Sequence, residues 1–413
     1  MNAPSPVLLI ESMPNATTAA VGAWIRSGSA HEAKDLAGIT HLVEHLLLRR
    51  CGDRTPETIA EEIDSLGGAV DAFTTREACA VSAHVPADRF DEALELVLDA
   101  VFAPRFLRHE VELERRVVAA EFDLIQDSPA EMAAEHALLA CWGDHPLARP
   151  VLGRREIVER LGVEALANFH RERFTSDNLL LVAAGPVDER RLEERLAALP
   201  AGGLQAPSLQ APQWHRGVAT EEREGLEQVY ANLVLPALPL NHPEILTLGV
   251  LHQVLGGGAA SRLFRELRDR LGLVYDVGSS VYATAAGGVL EVSFSAPVRQ
   301  ARACWDAVFR VLEATARGDL SDREVELARR GLAASVTLGA EGTEAMMEAN
   351  AGEYLARGRR FDPARVKGEL GLVTPERVRA LAAQVVRLDD IAGAVCGPQA
   401  GLQLPSGVAR RVA

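Results

Sequence analysis

The chain has 413 residues, 48% apolar and 24% charged, with a mean hydropathy near zero; it can bury sizeable cores and does not have a disordered composition. The length favours two domains over a single core. A formal charge of −15, with no Lys/Arg-rich run interleaved with aromatics, argues against nucleic-acid binding, and no stretch reaches the roughly 18–20 uninterrupted apolar residues of a membrane span.

In chain order, β-like runs at Val7–Ile10 and Ala19–Ile25 open the first half. Ile39–Arg49 reads as a helix entered through Gly38, and Pro56–Leu66 as a second helix stopped by Gly67-Gly68. Strand-like Ala69–Phe73 and Ala78–Val85 follow. Helical spacing returns over Asp91–Phe102 and Glu110–Gln126; Ser128-Pro129 interrupts it before Ala130–Cys141. Leu179–Ala184 is a late strand.

The stretch from Pro200 to Pro212 is rich in Pro, Gly, Ser and Gln and has no hydrophobic period, the signature of a linker. The expected domains are therefore 1–200 and 216–413, joined by 201–215. The second half repeats the theme: strand Gln228–Leu235, helix Pro243–Leu255, a Gly256-Gly257-Gly258 breaker, helix Ser261–Leu271 and strand Val289–Ser295. Helices Ala301–Ala316, Asp322–Val336 and Pro375–Val386 complete it. The fold class is α+β, with halves that read as a divergent duplication.

Five cysteines (Cys51, Cys79, Cys141, Cys304, Cys396) are scattered and never form a CxxC pair, so they read as small buried hydrophobes. Met1 to Pro14 lacks a basic segment followed by an apolar one, and the expected location is cytoplasmic, with no membrane partner. A phosphate-cradling role for Gly256–Arg262 fails, because no Gly-Lys-Ser/Thr follows and the segment succeeds a helix.

The residues that suggest chemistry are His41-Leu-Val-Glu44-His45, inside the first helix. Histidines four apart lie on one helical face and can grip one ion, and neutral imidazole suits zinc. Glu44 projects beside them, where a carboxylate can take a proton from an activated water. A catalytic zinc needs a third protein ligand. Helix Glu110–Gln126 offers Glu112, Glu114 and Glu121; Glu114 and Glu121, seven apart, share a face, so one could bind metal while the other orients a histidine. Manganese or cobalt would suit the same donors.

Several blocks in order carry a resemblance: Gly28-Ser29, then Gly38-Ile-Thr-His41-Leu-Val-Glu44-His45; Gly67-Gly68-Ala-Val-Asp-Ala-Phe-Thr74 with Arg76-Glu77; and Glu114-Arg-Arg-Val-Val-Ala-Ala-Glu121. With the 76-residue spacing from His45 to Glu121, they make the chain similar, over nearly its whole length, to the pitrilysin family of inverted zincins. The resemblance implies one Zn2+ per chain on His41, His45 and Glu121, Glu44 as general base, and Glu114 as an acid just outside the ligand set. It also implies that each domain is a mostly antiparallel sheet flanked by helices, the two forming half of a clamshell chamber.

In that family the substrate adds as a strand to the edge corresponding to Asp71, Ala72, Phe73 and Thr74; Asp71 stands where the family usually has Asn. Gly256–Phe264, Arg268 and Gly272-Leu-Val-Tyr275 resemble its glycine-rich segment and Arg/Tyr pair, which hold the substrate main chain and polarise the scissile carbonyl. The implied activity is endopeptidase action on short or unfolded peptides. With zinc motif and Arg/Tyr pair on one chain, the resemblance favours a homodimer whose sites span two protomers. The alternatives are a non-catalytic subunit, or an enzyme that works only in a heterodimer with a sister subunit, for example in peptide-precursor maturation.

Overall fold

The computed structural model describes residues 6–402, which form two compact units. Unit 1 comprises Met1–Asp123, Pro150–Leu209 and Leu338–Phe361; unit 2 comprises Leu124–Arg149, Gln210–Thr337 and Asp362–Ala413.

The sheet of unit 1 is built from β1 (Val7–Ser12), β2 (Thr18–Ile25), β3 (Ala69–Thr74), β4 (Cys79–Pro86) and β5 (Leu179–Gly185), in the order β1-β5-β2-β4-β3. Only the β1–β5 pair is parallel, with Val7 opposite Leu180. The sheet of unit 2 uses β6 (Gly217–Glu222), β7 (Gln228–Ala237), β8 (Val277–Ala283), β9 (Gly288–Pro297) and β10 (Ala392–Gly397), in the order β6-β10-β7-β9-β8. Its β6–β10 pair is again the parallel one. Two mostly antiparallel sheets with the same strand order bear out the α+β class and the duplicated half.

The central strands are buried on both faces, which explains their continuous apolar runs. In β2, Ala19, Val21, Ala23 and Ile25 face one cluster with the helices, while Ala20 and Trp24 face another that includes Met346, Met347 and Ala351. Those last three belong to helix Thr343–Arg357, in a stretch to which the sequence pattern assigns no element. In unit 2, helix Pro129–Trp142 packs on β7 and β10. Each unit thus includes a segment from the opposite half of the chain, an exchange that a cut at 201–215 does not express.

Helices α1 (Ile39–Leu47), α2 (Pro56–Leu66) and α3 (Phe90–Phe102) share one core cluster on the same side of the unit 1 sheet. Helix α4 (Arg108–Asp127) follows. In α1, Ile39, Leu42, Val43, Leu46 and Leu47 are fully buried, an i, i+3, i+4, i+7, i+8 stripe in which each side chain contributes about 1.5–3 kcal/mol. Helix α2 begins at Thr55, whose hydroxyl accepts the Thr58 N–H, and ends at left-handed Gly67. All five cysteines are free and buried, as expected of small hydrophobes. Among the described residues no helix is long and apolar enough to cross a membrane.

Candidate metal centre

Because α1 turns its apolar stripe inward, His41, Glu44 and His45 occupy the remaining face, and α4 brings Glu114 and Glu121 against them. The imidazoles of His41 and His45 lie 4.6 Å apart between centroids, edge to face. Glu121 meets both: its Oε2 is 3.6 Å from His41 Nε2 and its Oε1 is 3.4 Å from His45 Nε2. Glu44 Oε2 is 3.8 Å from His41 Nε2.

Among the described residues, His41, Glu44 and His45 form the one group of three or more His, Cys, Asp or Glu whose ligand atoms all lie within 4.8 Å of one another. Glu121 is nonetheless the better third donor, since each of its oxygens faces a different Nε2, whereas Glu44 Oε2 accepts a hydrogen bond from Thr74 Oγ1 at 3.3 Å. Two imidazole nitrogens and a carboxylate suit zinc. One further observation fits a cation: His45 Nδ1 lies 3.3 Å from Glu114 Oε2, an arrangement that leaves the Nε2 lone pair free for a metal when Nδ1 carries the proton. The buried Nδ1 of His41, by contrast, has no hydrogen-bond partner. Glu114 Oε1 is in turn 3.6 Å from Arg49 Nε, a residue to which the sequence pattern assigns no role.

Burial governs the protonation of the cluster. It pulls His41 down to about 4, helped by the charge of His45. It pushes Glu44 up to about 7, opposed by His45 and the Thr74 hydrogen bond and reinforced by Glu121 and Asp71. For His45, burial acts downward, but the Glu114 hydrogen bond and the charges of Glu44, Glu121 and Glu114 outweigh it, leaving the ring above its ordinary value.

Edge strand β3 runs beside α1, and among the described residues its only sheet neighbour is β4. Val70 and Ala72 pack toward the helices and Phe73 toward the opposite cluster. Asp71 is exposed, and its Oδ1 accepts the N–H of Ala72 at 2.9 Å.

In unit 2, the expected helix Ser261–Leu271 contains a π-helical segment, Phe264–Arg270, a rare geometry frequent at functional sites. The Arg268 guanidinium lies 4.7 Å from the ring centroids of both Phe264 and Tyr275, and Tyr275 is 81% exposed. The resemblance implies the pairing of Arg268 with Tyr275, and the structure adds the ring of Phe264 beside the same guanidinium.

Glu32 is a further addition. Buried, and absent from every motif, it accepts the N–H groups of Gly38 and Thr40 at the start of α1. No periodicity points to it, because it precedes the helix in an irregular stretch with two short 3-10 turns.

Residues 7–155 match the family model described as insulinase (peptidase family M16), and residues 160–332 the one described as peptidase M16 inactive domain. An uncharacterized zinc protease of Mycobacterium leprae is 32% identical over 400 residues, covering 95% of this chain and 90% of that protein. Another from Bacillus subtilis is 28% identical over 398 residues, covering 96% and 97%. Among solved structures, a peptidase M16 inactive domain from Pseudomonas fluorescens superposes with a TM-score of 0.88 at 18% identity, covering 96% of both chains, a likeness of fold alone.

Proposed function

Since the chain belongs to peptidase family M16, the pitrilysin family of metalloproteases, we propose that it is a zinc-dependent endopeptidase acting on short or unfolded peptides. The observation that carries the reading is the approach of both Glu121 oxygens to His41 Nε2 and His45 Nε2, at 3.6 and 3.4 Å. His41, His45 and Glu121 would hold one zinc ion. When bound, zinc supplies Lewis-acid activation of water and of the scissile carbonyl.

The other steps belong to the chain's own groups. Glu44 takes a proton from the attacking water as oxygen adds to the carbonyl carbon, then delivers it to the departing amine nitrogen as the C–N bond breaks. Thr74 holds the carboxylate through its hydroxyl. Glu114 fixes the ring of His45 from the far side. The free edge of β3 receives the peptide as an added strand, so that main-chain hydrogen bonds give affinity without strict sequence preference. Arg268 and Tyr275 hold the substrate main chain and polarise the scissile carbonyl, supplied by a second protomer in a homodimer.

The test is elemental analysis of the purified protein together with cleavage of an unstructured fluorogenic peptide, with and without chelator. About one zinc per chain and chelator-sensitive cleavage are expected. Absence of zinc and of cleavage after zinc is added would overturn the reading in favour of a non-catalytic subunit. Bound zinc without cleavage would favour a subunit that needs a sister chain, a reading that draws on the match of residues 160–332, including Arg268 and Tyr275, to a domain described as inactive.

A further inference from the structure

We propose that Glu32 is a positioning residue for the metal centre: its buried carboxylate locks the first turn of α1 and supplies negative charge that favours a divalent cation at His41 and His45. The inference rests on the metallopeptidase reading and adds to it a residue from outside every motif.

A helix leaves its first N–H groups without partners inside the helix. Helix α1 is entered through Gly38, which has no side chain to offer them. Glu32 takes that role from a distance in sequence: Oε2 accepts the Gly38 N–H and Oε1 the Thr40 N–H, both at 2.8 Å. The carboxylate is well removed from water, at 7% residue exposure. On its other side Gly38 is pinned by space, since φ is +100° and an added Cβ would lie 2.5 Å from Leu152 O and from Val158 Cγ2. The helix start therefore has little freedom.

His41 follows Thr40 directly and lies in the first turn, so the bond to Thr40 N–H fixes the backbone from which the imidazole projects. The electrostatics point the same way. A helix N-terminus carries roughly half a positive charge, a field that opposes a cation bound in the first turn. Most metal ligands on helices would feel it. Here a carboxylate lies against two of the N–H groups that create the field, in a buried setting where water screens little.

The test is zinc affinity of the metal-stripped full chain, by competition with a chromophoric chelator, for wild type, Glu32→Gln and Glu32→Asp, beside thermal melting of each stripped protein. Glu32→Gln removes the charge and one of the two acceptors, since an amide NH2 cannot accept an N–H, and about ten-fold weaker zinc binding is expected. Glu32→Asp keeps the charge but is too short to span both N–H groups, and should fall between. If Glu32→Gln does not fold, Glu32→Asp carries the test, with about three-fold weakening expected. Unchanged zinc affinity in the folded variant, whatever its melting temperature, would overturn the proposal and leave Glu32 a structural cap only. Wild type that binds no zinc would overturn the metal reading itself, a result distinct from equal binding by wild type and variant.

Discussion

The hydroxyl of Thr74 donates to Glu44 Oε2 across 3.3 Å, so the last residue of edge strand β3 is tied to the carboxylate proposed as the base. Replacing Thr74 with Val keeps the shape and removes the donor. Steady-state kinetics should show kcat reduced about ten-fold, the value of one hydrogen bond to a charged group, with KM within about two-fold of wild type. A loss confined to KM would show that Thr74 serves the substrate alone.

Glu44→Gln leaves two imidazoles and Glu121 in place and removes the base. Zinc content by elemental analysis should stay at wild-type level, while kcat falls by about 100-fold or more. Retained turnover would refute the role given to Glu44.

Glu114 meets His45 Nδ1 on the side away from Glu121. Glu114→Ala should weaken zinc binding by about 10–100-fold, the usual effect of removing a carboxylate behind a ligating histidine, and chelator competition reads this directly.

The Arg268 guanidinium rests between Phe264 and Tyr275 in unit 2, whereas His41 belongs to unit 1. If each site is completed by a second protomer, inactive His41→Ala and inactive Arg268→Ala chains should regain activity when mixed, because one hybrid site then holds both intact halves. About a quarter of wild-type activity is expected after full exchange of equal amounts, since half the dimers are mixed and each has one whole site. No recovery, after exchange is verified by mass spectrometry, would argue for a site within one chain.

His170 offers a test of stability. Its Nε2–H donates to Val101 O at 2.8 Å and its ring stacks on Phe174, and burial lowers its pKa to about 4. The folded state resists a proton that the unfolded chain accepts below about 6.5, so stability is intact above that pH and lost as pH falls toward 4. Between pH 7.5 and pH 5 the wild type should lose about 2 kcal/mol more than His170→Gln in urea denaturation. Parallel pH profiles for the two proteins would show that His170 is not responsible.

Much of this protein is set by local chemistry and is legible in the chain. The spacing of His41, Glu44 and His45 puts them on one helical face because a helix repeats every three to four residues. Glu114 and Glu121 share a face for the same reason, and Thr55, Pro56 and Gly67 bound α2 by capping rules that act within a few residues. Alternation and apolar runs likewise announce most of the central strands.

Other features depend on groups distant in sequence. Local spacing leaves open which of Glu112, Glu114 and Glu121 meets which histidine nitrogen; that choice depends on how α4 lies against α1. Helix Thr343–Arg357 covers the second face of β2 and β5, a contact between segments far apart in sequence. Glu32 gains significance only because the fold returns its carboxylate to the open N–H groups of α1. Periodicity records which side of an element avoids water; the partner on that side is chosen by packing over the whole chain, and only the tertiary structure contains that choice.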